Sequence, residues 1–284
     1  MLKQRKRRPR TRYLRQRMIA AIVISCLVIL SVVVLNYALP EEAMELDLLA
    51  QKQPPSGKAL FGTDWMGRDM FTRSMKGMFA SLQIGLIACI ISVVISVTLG
   101  SLAAIFGGKV DAAVSWIIDL FLGMPHLVLM ILVSVALGGG PNGVIIAVAV
   151  THWPTLARIV RAEVFQLKTA DFILVARNMG KKPLWITSRH VIPHLVPQVV
   201  VGFVLLFPHA ILHEASLTFL GFGLSPLKPA LGVILAEALQ HLSTGAWWLV
   251  LLPGLVLLAV VRCFDSIGSA LNEFLDPHTL RSKR

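Results

Sequence analysis

Charge is scarce in this 284-residue chain, where Asp, Glu, Lys and Arg supply 15% of the residues against about 25% in an ordinary soluble domain. Acid is the scarcer sign, with 15 Asp and Glu against 27 Lys and Arg. The three cysteines, Cys26, Cys89 and Cys263, all fall in apolar runs and share no metal-ligand spacing, which argues against a disulfide framework or a cysteine zinc site. A phosphate loop is missing too. Ser56-Gly57-Lys58-Ala59 and Gly108-Lys109-Val110 lack the hydroxyl residue and the upstream glycine that cradle a nucleotide. No cluster of nucleophile, base and orienting group emerges, so the chain reads as a non-enzyme that binds no cofactor of its own.

What is present is apolar. Hydrophobic residues make up 56% of the chain and the mean hydropathy is +0.74. They gather into runs of about 20 residues, the length that crosses a hydrocarbon core of roughly 30 Å as a helix. Runs at 18–39, 79–106, 112–137, 144–156, 195–212 and 247–267 predict an all-α, polytopic membrane bundle of six helices. The fourth is short, about 20 Å of helix, and must borrow length from Gly138 to Pro141 or let Arg158 snorkel. The first exceeds the apolar core of a signal peptide, and residues 36–40 supply no cleavage site, so it is expected to stay attached.

Basic residues orient the spans. Nine cations precede residue 18, a run better explained by retention of a membrane anchor on the cytoplasmic side than by nucleic acid. With six spans and both termini inside, the inner segments hold 20 Lys and Arg and the outer segments six, as the positive-inside rule requires. Removing the fourth span would put the cations from Arg158 to Arg189 outside. The expected organisation is a basic cytoplasmic N-terminus (1–17), a first span (18–39), an extracytoplasmic segment (40–78), a core (79–267) containing a cytoplasmic loop (157–193), and a cytoplasmic C-terminus (268–284).

The inner loop is too long for a plain turn. Asp171 is placed to cap a short helix through Met179, and Gly180 to terminate it. Phe172, Val175, Ala176 and Met179 would share an apolar face beside Arg177, Lys181 and Lys182. Such a helix suits a groove on a cytosolic partner or a lipid surface.

From Trp153 onward, the order Ala157, Arg158, Val160, Arg161, then Ala176, Arg177, Gly180, then His190, Ile192, Pro193 resembles the coupling loop of permease subunits in ABC importers, most of all the dipeptide, oligopeptide and nickel family. Gly62, Thr63, Asp64, Gly67, Arg68, Asp69 and Arg73, with Ser81, Leu82 and Gly85, are similar to the same family's motif ahead of the second span. Glu214 to Leu220, Gly221, Gly223, Pro253, Gly254 and Leu275 to Pro277 are similar to its C-terminal part. The sequence departs from the family where Leu174, Val175 and Ala176 stand for Glu-Ala-Ala, and where Leu231, Asp265, Ser269 and Asn272 replace its usual residues.

The resemblance implies a type I importer permease in a bacterial inner membrane, paired with a second permease chain and surrounded by lipid. It also implies cytosolic ATPase subunits that use ATP and magnesium, and an extracytoplasmic substrate-binding protein. The coupling residues would be Leu174, Val175, Ala176, Arg177, Gly180 and Pro193. Nickel, a metal chelate, or a di- or oligopeptide would be the substrate. His152 before Trp153 and the pair His209 and His213 resemble nickel permeases more than peptide ones, which favours nickel, and imidazole is a common ligand for such ions.

Other residues keep two readings. Asp64, Arg68, Asp69 and Arg73 can form a local salt-bridged cap or a docking surface for the binding protein. His209, His213 and Glu214 can handle metal or make interhelical hydrogen bonds. Asp119, expensive inside a span, is expected to face the bundle interior; Gly123 and Pro125 after it can kink the helix and open a path, or serve packing. A competing function, a stand-alone proton-coupled transporter, would want internal repeats and more intramembrane carboxylates than Asp119.

Overall fold

The computed structural model describes residues 10–225 and 228–275. The cations before Arg10, the pair Asp276 and Pro277, and the terminal Arg281, Lys283 and Arg284 lie outside the described residues. The chain forms α1 (Arg10–Ala38), α2 (Met70–Phe106), α3 (Gly108–Gly123), α4 (His126–Ala136), α5 (Gly140–Lys168), α6 (Asp171–Asn178), α7 (Pro183–Ile186), α8 (Ile192–Phe219), α9 (Leu231–Gln240) and α10 (Trp248–Leu275). A π-helical stretch, Thr187–Val191, leads into α8. No strand occurs among the described residues.

Five helices are long and apolar enough to cross a membrane, and the bent pair α3 and α4 can supply a sixth crossing. The ends of α2 and α5 decide how to count that pair. Lys168, at the end of α5, donates from Nζ to Ala104 O at the end of α2, 2.7 Å away. At the opposite end of the molecule Ser134, just before α5 starts, donates from Oγ to Phe222 O beyond the end of α8, at 2.9 Å. So α2 and α5 run in the same direction, and α3 with α4 must carry the chain back across.

The third span is thus a broken one. The helix is interrupted at Met124 and Pro125, where the sequence allows a kink, and the two halves meet at 100°. The residue before a proline is pushed out of the helical region, and Met124 is extended with ψ 146. Two limits differ from expectation. The second span begins at Met70 instead of residue 79, because Asp69 caps it by accepting from Thr72 N at 2.7 Å. The fourth, expected to be short, runs for 29 residues. Gly140 to Arg158 covers about 27 Å, close to the thickness of a hydrocarbon core, and the helix continues ten residues further to Lys168.

Small residues let the central pair approach closely. A Cβ on Gly100 of α2 would come within 2.7 Å of Ala157 O on α5, and Ser96 Oγ donates to Trp153 O at 2.8 Å. Buried Ala88, Ala103, Ala104, Ala147 and Ala149 continue the contact. A second core gathers Met70, Met78, Leu82, Phe207, Ile211, Leu231 and Leu249 from α2, α8, α9 and α10.

Candidate functional site

Three polar regions stand out, one at each end of the bundle and one at its middle. Cation placement predicts the end where α2 begins to be the outer one, and the end where α2 and α5 finish to be the inner one. At the outer end Asp64 is fully buried and accepts from Met66 N (2.8 Å), Arg68 N (3.0 Å), Arg68 Nε (2.7 Å) and Arg73 Nη1 (2.6 Å). Arg73 Nη2 also donates to Glu237 Oε2 of α9 at 2.9 Å. Trp65 lies under both guanidiniums, 5.2 Å from that of Arg68 and 5.7 Å from that of Arg73. The expected local cap is therefore part of a buried network between the outer segment and α9. Asp69 belongs to the helix cap instead. Gly67 at φ +78 permits the turn, since a Cβ there would meet Asp47 O at 1.7 Å; Gly62 has φ +70, and Thr63 Oγ1 donates to Ala50 O.

At the middle, three imidazoles meet. His126 opens α4 directly after the break, His152 sits on α5, and His213 on α8. Their ring centroids lie 4.7, 4.8 and 5.0 Å apart. Each offers a ring nitrogen, and these nitrogens lie within 4.8 Å of one another. The expected pair His209 and His213 is not what assembles: His213 joins the other two rings, while His209 is exposed. Glu214, next in sequence, is turned away and fully buried, where Thr218 Oγ1 donates to its Oε1 at 3.0 Å.

Below the imidazoles, Arg158 of α5 donates to Asp119 of α3 at 2.8 Å. Asp119 was expected to face the interior of its own bundle, but its side chain is 70% exposed. The side chain leaves the face of α3 that packs on this chain, where Val114 and Ile118 are buried. Nearer the inner end, Arg161 forms a two-pronged pair with Asp111, the Nη2 to Oδ2 bond being 2.8 Å. Histidines and ion pairs thus descend α5 in the order His152, Arg158, Arg161.

At the inner end, α6 buries Ile173 and Ala176 against its own chain and exposes Phe172, Leu174, Val175 and Arg177. Ala176 was expected on the outward apolar face and is instead on the inward one. The outward strip is Phe172, Val175 and Met179, the last 71% exposed. Asp171 does not cap the helix. Ala170 holds the N-cap position, and Asp171 lies in the first turn, where its charge suits the helix dipole. Gly180 terminates the helix at φ +76. Lys181 N donates to Ala176 O (3.2 Å) and Gly180 N to Arg177 O (2.9 Å), the paired bonds of a Schellman motif. Pro193 lies in the first turn of α8, exposed.

Sequence reasoning missed Glu237 and Trp65, and it did not join His126 and His152 to His213. His126 directly after Pro125 was the available signal, since a ring at a helix break inside a span is rarely there for packing.

Residues 96–278 match the family described as binding-protein-dependent transport system inner membrane component. The chain is 34% identical over 242 residues to the dipeptide transport system permease protein DppC of Bacillus subtilis, covering 85% of this chain and 76% of that one. It is 33% identical to the nickel transport system permease protein NikC of Escherichia coli, over 84% of this chain and 86% of the other. The oligopeptide transport system permease protein OppC of Bacillus subtilis is 33% identical over 81% of this chain and 75% of its own. Among solved structures, an inward-facing MetNI methionine ABC transporter shares the fold, with a TM-score of 0.54 and 22% identity over 71% of this chain and 97% of that one. By that match and those relatives, the chain belongs to the binding-protein-dependent transport system inner membrane components, the multi-pass permease subunits of ABC importers.

Proposed function

We propose that this permease lines half of one translocation path, is driven through α6 by a separate cytosolic ATPase, and imports either nickel or a di- or oligopeptide. The single observation that carries the coupling role is the outward strip of Phe172, Val175 and Met179 on a helix ended by a Schellman glycine. Three apolar side chains pointing away from the chain, flanked by exposed Arg177, Lys181 and Lys182, fit a protein groove with an acidic rim. The ATPase would use ATP and Mg²⁺, while this chain supplies the mechanical connection. Both termini and α6 lie on the cytoplasmic side of a bacterial inner membrane in this reading. A binding protein meets the outer segment, and a second, non-identical permease covers the face that carries Asp119 and Arg158. Such charges would be costly against lipid. Substrate range follows the relatives, whose names specify dipeptide, oligopeptide and nickel transport.

The test uses Gly180. A Cβ there meets nothing within 4 Å, so Gly180→Trp adds bulk at an open position, and the strain on its own chain is that of the left-handed backbone. Gly180→Ala imposes the same left-handed strain, about 1 kcal/mol, without the bulk. Gly180→Trp is expected to reach the membrane, lose co-purification with the ATPase and abolish uptake, while Gly180→Ala keeps most activity. Normal uptake by Gly180→Trp would refute the coupling role.

A further inference from the structure

The three-imidazole cluster has features that helix packing does not call for. His152 is only 6% exposed. Its Nδ1–H donates to Val148 O at 2.9 Å, which fixes the tautomer and leaves the lone pair on Nε2. That Nε2 is buried and has no hydrogen-bond partner, a condition that costs about 1–3 kcal/mol for a polar atom. His126 and His213, half-buried, turn their rings toward it. Among the described residues, no hydrogen bond links any two of the three rings. A backbone carbonyl orienting one nitrogen while the other is left free is the arrangement that metal-ligating histidines use.

We infer that His126, His152 and His213 form a transit site for a divalent first-row transition-metal ion, held by one nitrogen from each ring. Donor chemistry selects the class. Imidazole suits nickel, cobalt, zinc and copper, whereas calcium and magnesium demand oxygen. Of the carboxylates in this part of the chain, Asp119 pairs with Arg158, and Glu214, which follows His213, is not in the cluster and has its Oε1 bonded by Thr218. Geometry leaves the site slightly open. Nitrogens bound to one ion at about 2.0–2.1 Å stand roughly 3.3 Å apart in a tetrahedral arrangement, so a separation of up to 4.8 Å must close by about 1.5 Å. Position fits transit as well. His152 follows Gly140 by 12 residues, about 18 Å along the helix, near mid-bilayer, and His126 stands at the 100° break. Broken helices at mid-membrane are where transporters build substrate sites.

The three ligands sit on three helices. A displacement of α5, the helix that leads directly to α6, would widen or tighten the triangle. A site that holds an ion in one state and loosens in the other meets the requirement that conduction needs entry without trapping. Exposed His209, one turn from His213 on the same face of α8, gives the ion a next partner. The transit role rests on the importer reading above, but metal binding itself does not.

The test separates the two. The complete importer, purified with every affinity tag removed, is titrated with Ni²⁺ by equilibrium dialysis and with Co²⁺ by its visible ligand-field bands. The expected result is one ion per copy of this chain, with affinity falling at least tenfold in His126→Ala and in His213→Ala, positions open enough to tolerate truncation. His152→Gln should lose the Co²⁺ bands. Absence of stoichiometric binding, or binding unchanged in those variants, overturns the site. The same preparations in vesicles report ATP-dependent uptake of labelled nickel and of a labelled peptide mixture. Peptide uptake without Ni²⁺ binding overturns the metal site and leaves the importer reading standing. Histidine-dependent Ni²⁺ binding with no ATP-dependent uptake of either substrate upholds the site and sinks the proposed substrate range.

Discussion

Asp64→Asn is the most demanding perturbation of the outer network. The carboxylate is fully buried, and two of its four bonds come from guanidiniums, with Arg73 itself 3% exposed. An amide keeps the shape and its oxygen can still accept both backbone N–H groups, but it removes the charge and sets an NH₂ against the two guanidinium N–H donors. Removing one member of a buried ion pair costs about 3–5 kcal/mol. Here Glu237 remains on the other arm of Arg73 at 2.9 Å, so the expected loss is at the lower end, about 3 kcal/mol. Glu237→Gln should cost only about 1 kcal/mol, because its side chain is 22% exposed and water can screen what is lost. Detergent-driven unfolding of the purified chain in mixed micelles measures both. Asp64→Asn within about 1 kcal/mol of wild type, or a cost for Glu237→Gln larger than that for Asp64→Asn, would refute the account.

Three further outcomes are expected. Gly232→Val should prevent stable assembly, because a Cβ on Gly232 would already lie 2.4 Å from Ala215 O of α8 and overpacking costs at least about 1–3 kcal/mol; normal membrane levels of a monodisperse variant would contradict this. Arg161→Asp should weaken the inner end by about 1 kcal/mol, since both partners are partly exposed, and adding Asp111→Arg should restore part of the loss in the same unfolding assay. Val175→Cys, in a chain whose native cysteines are replaced by serine, should react with a membrane-impermeant maleimide only from the cytosolic side. Labelling from the other side would overturn the assigned orientation of α6.

Much of the architecture was legible because apolar run length is dictated by the bilayer, which leaves few alternatives. Six crossings and the turn at Gly180 follow from that and from glycine's access to positive φ. Limits were less legible where polar residues extend a helix beyond lipid. Arg73 and Lys76 made the start of α2 look like loop, although Asp69 supplies a cap, and Arg158 made α5 look short although it pairs with Asp119. The site was readable only in fragments. Pairs four apart on one helix are visible in a sequence, which is why His209 and His213 drew attention. Partners 164 positions apart, such as Arg73 and Glu237, are joined by packing alone. The direction Ala176 faces on α6 likewise depends on where the neighbouring elements lie, which no local pattern encodes.

The length of α2 has a mechanical consequence. It contains 37 residues and no proline, so it is a stiff rod of about 55 Å, well over the bilayer's thickness. One tip holds Arg73 in the outer network, and the other receives Lys168 from the stalk that precedes α6. Pivoted near its centre, a rod of that span rocked by about ten degrees swings its two tips about 5 Å in opposite senses. On the proposed coupling, a push at the Lys168 end would be felt as an opposite stroke at the Arg73 end, like the two seats of a see-saw.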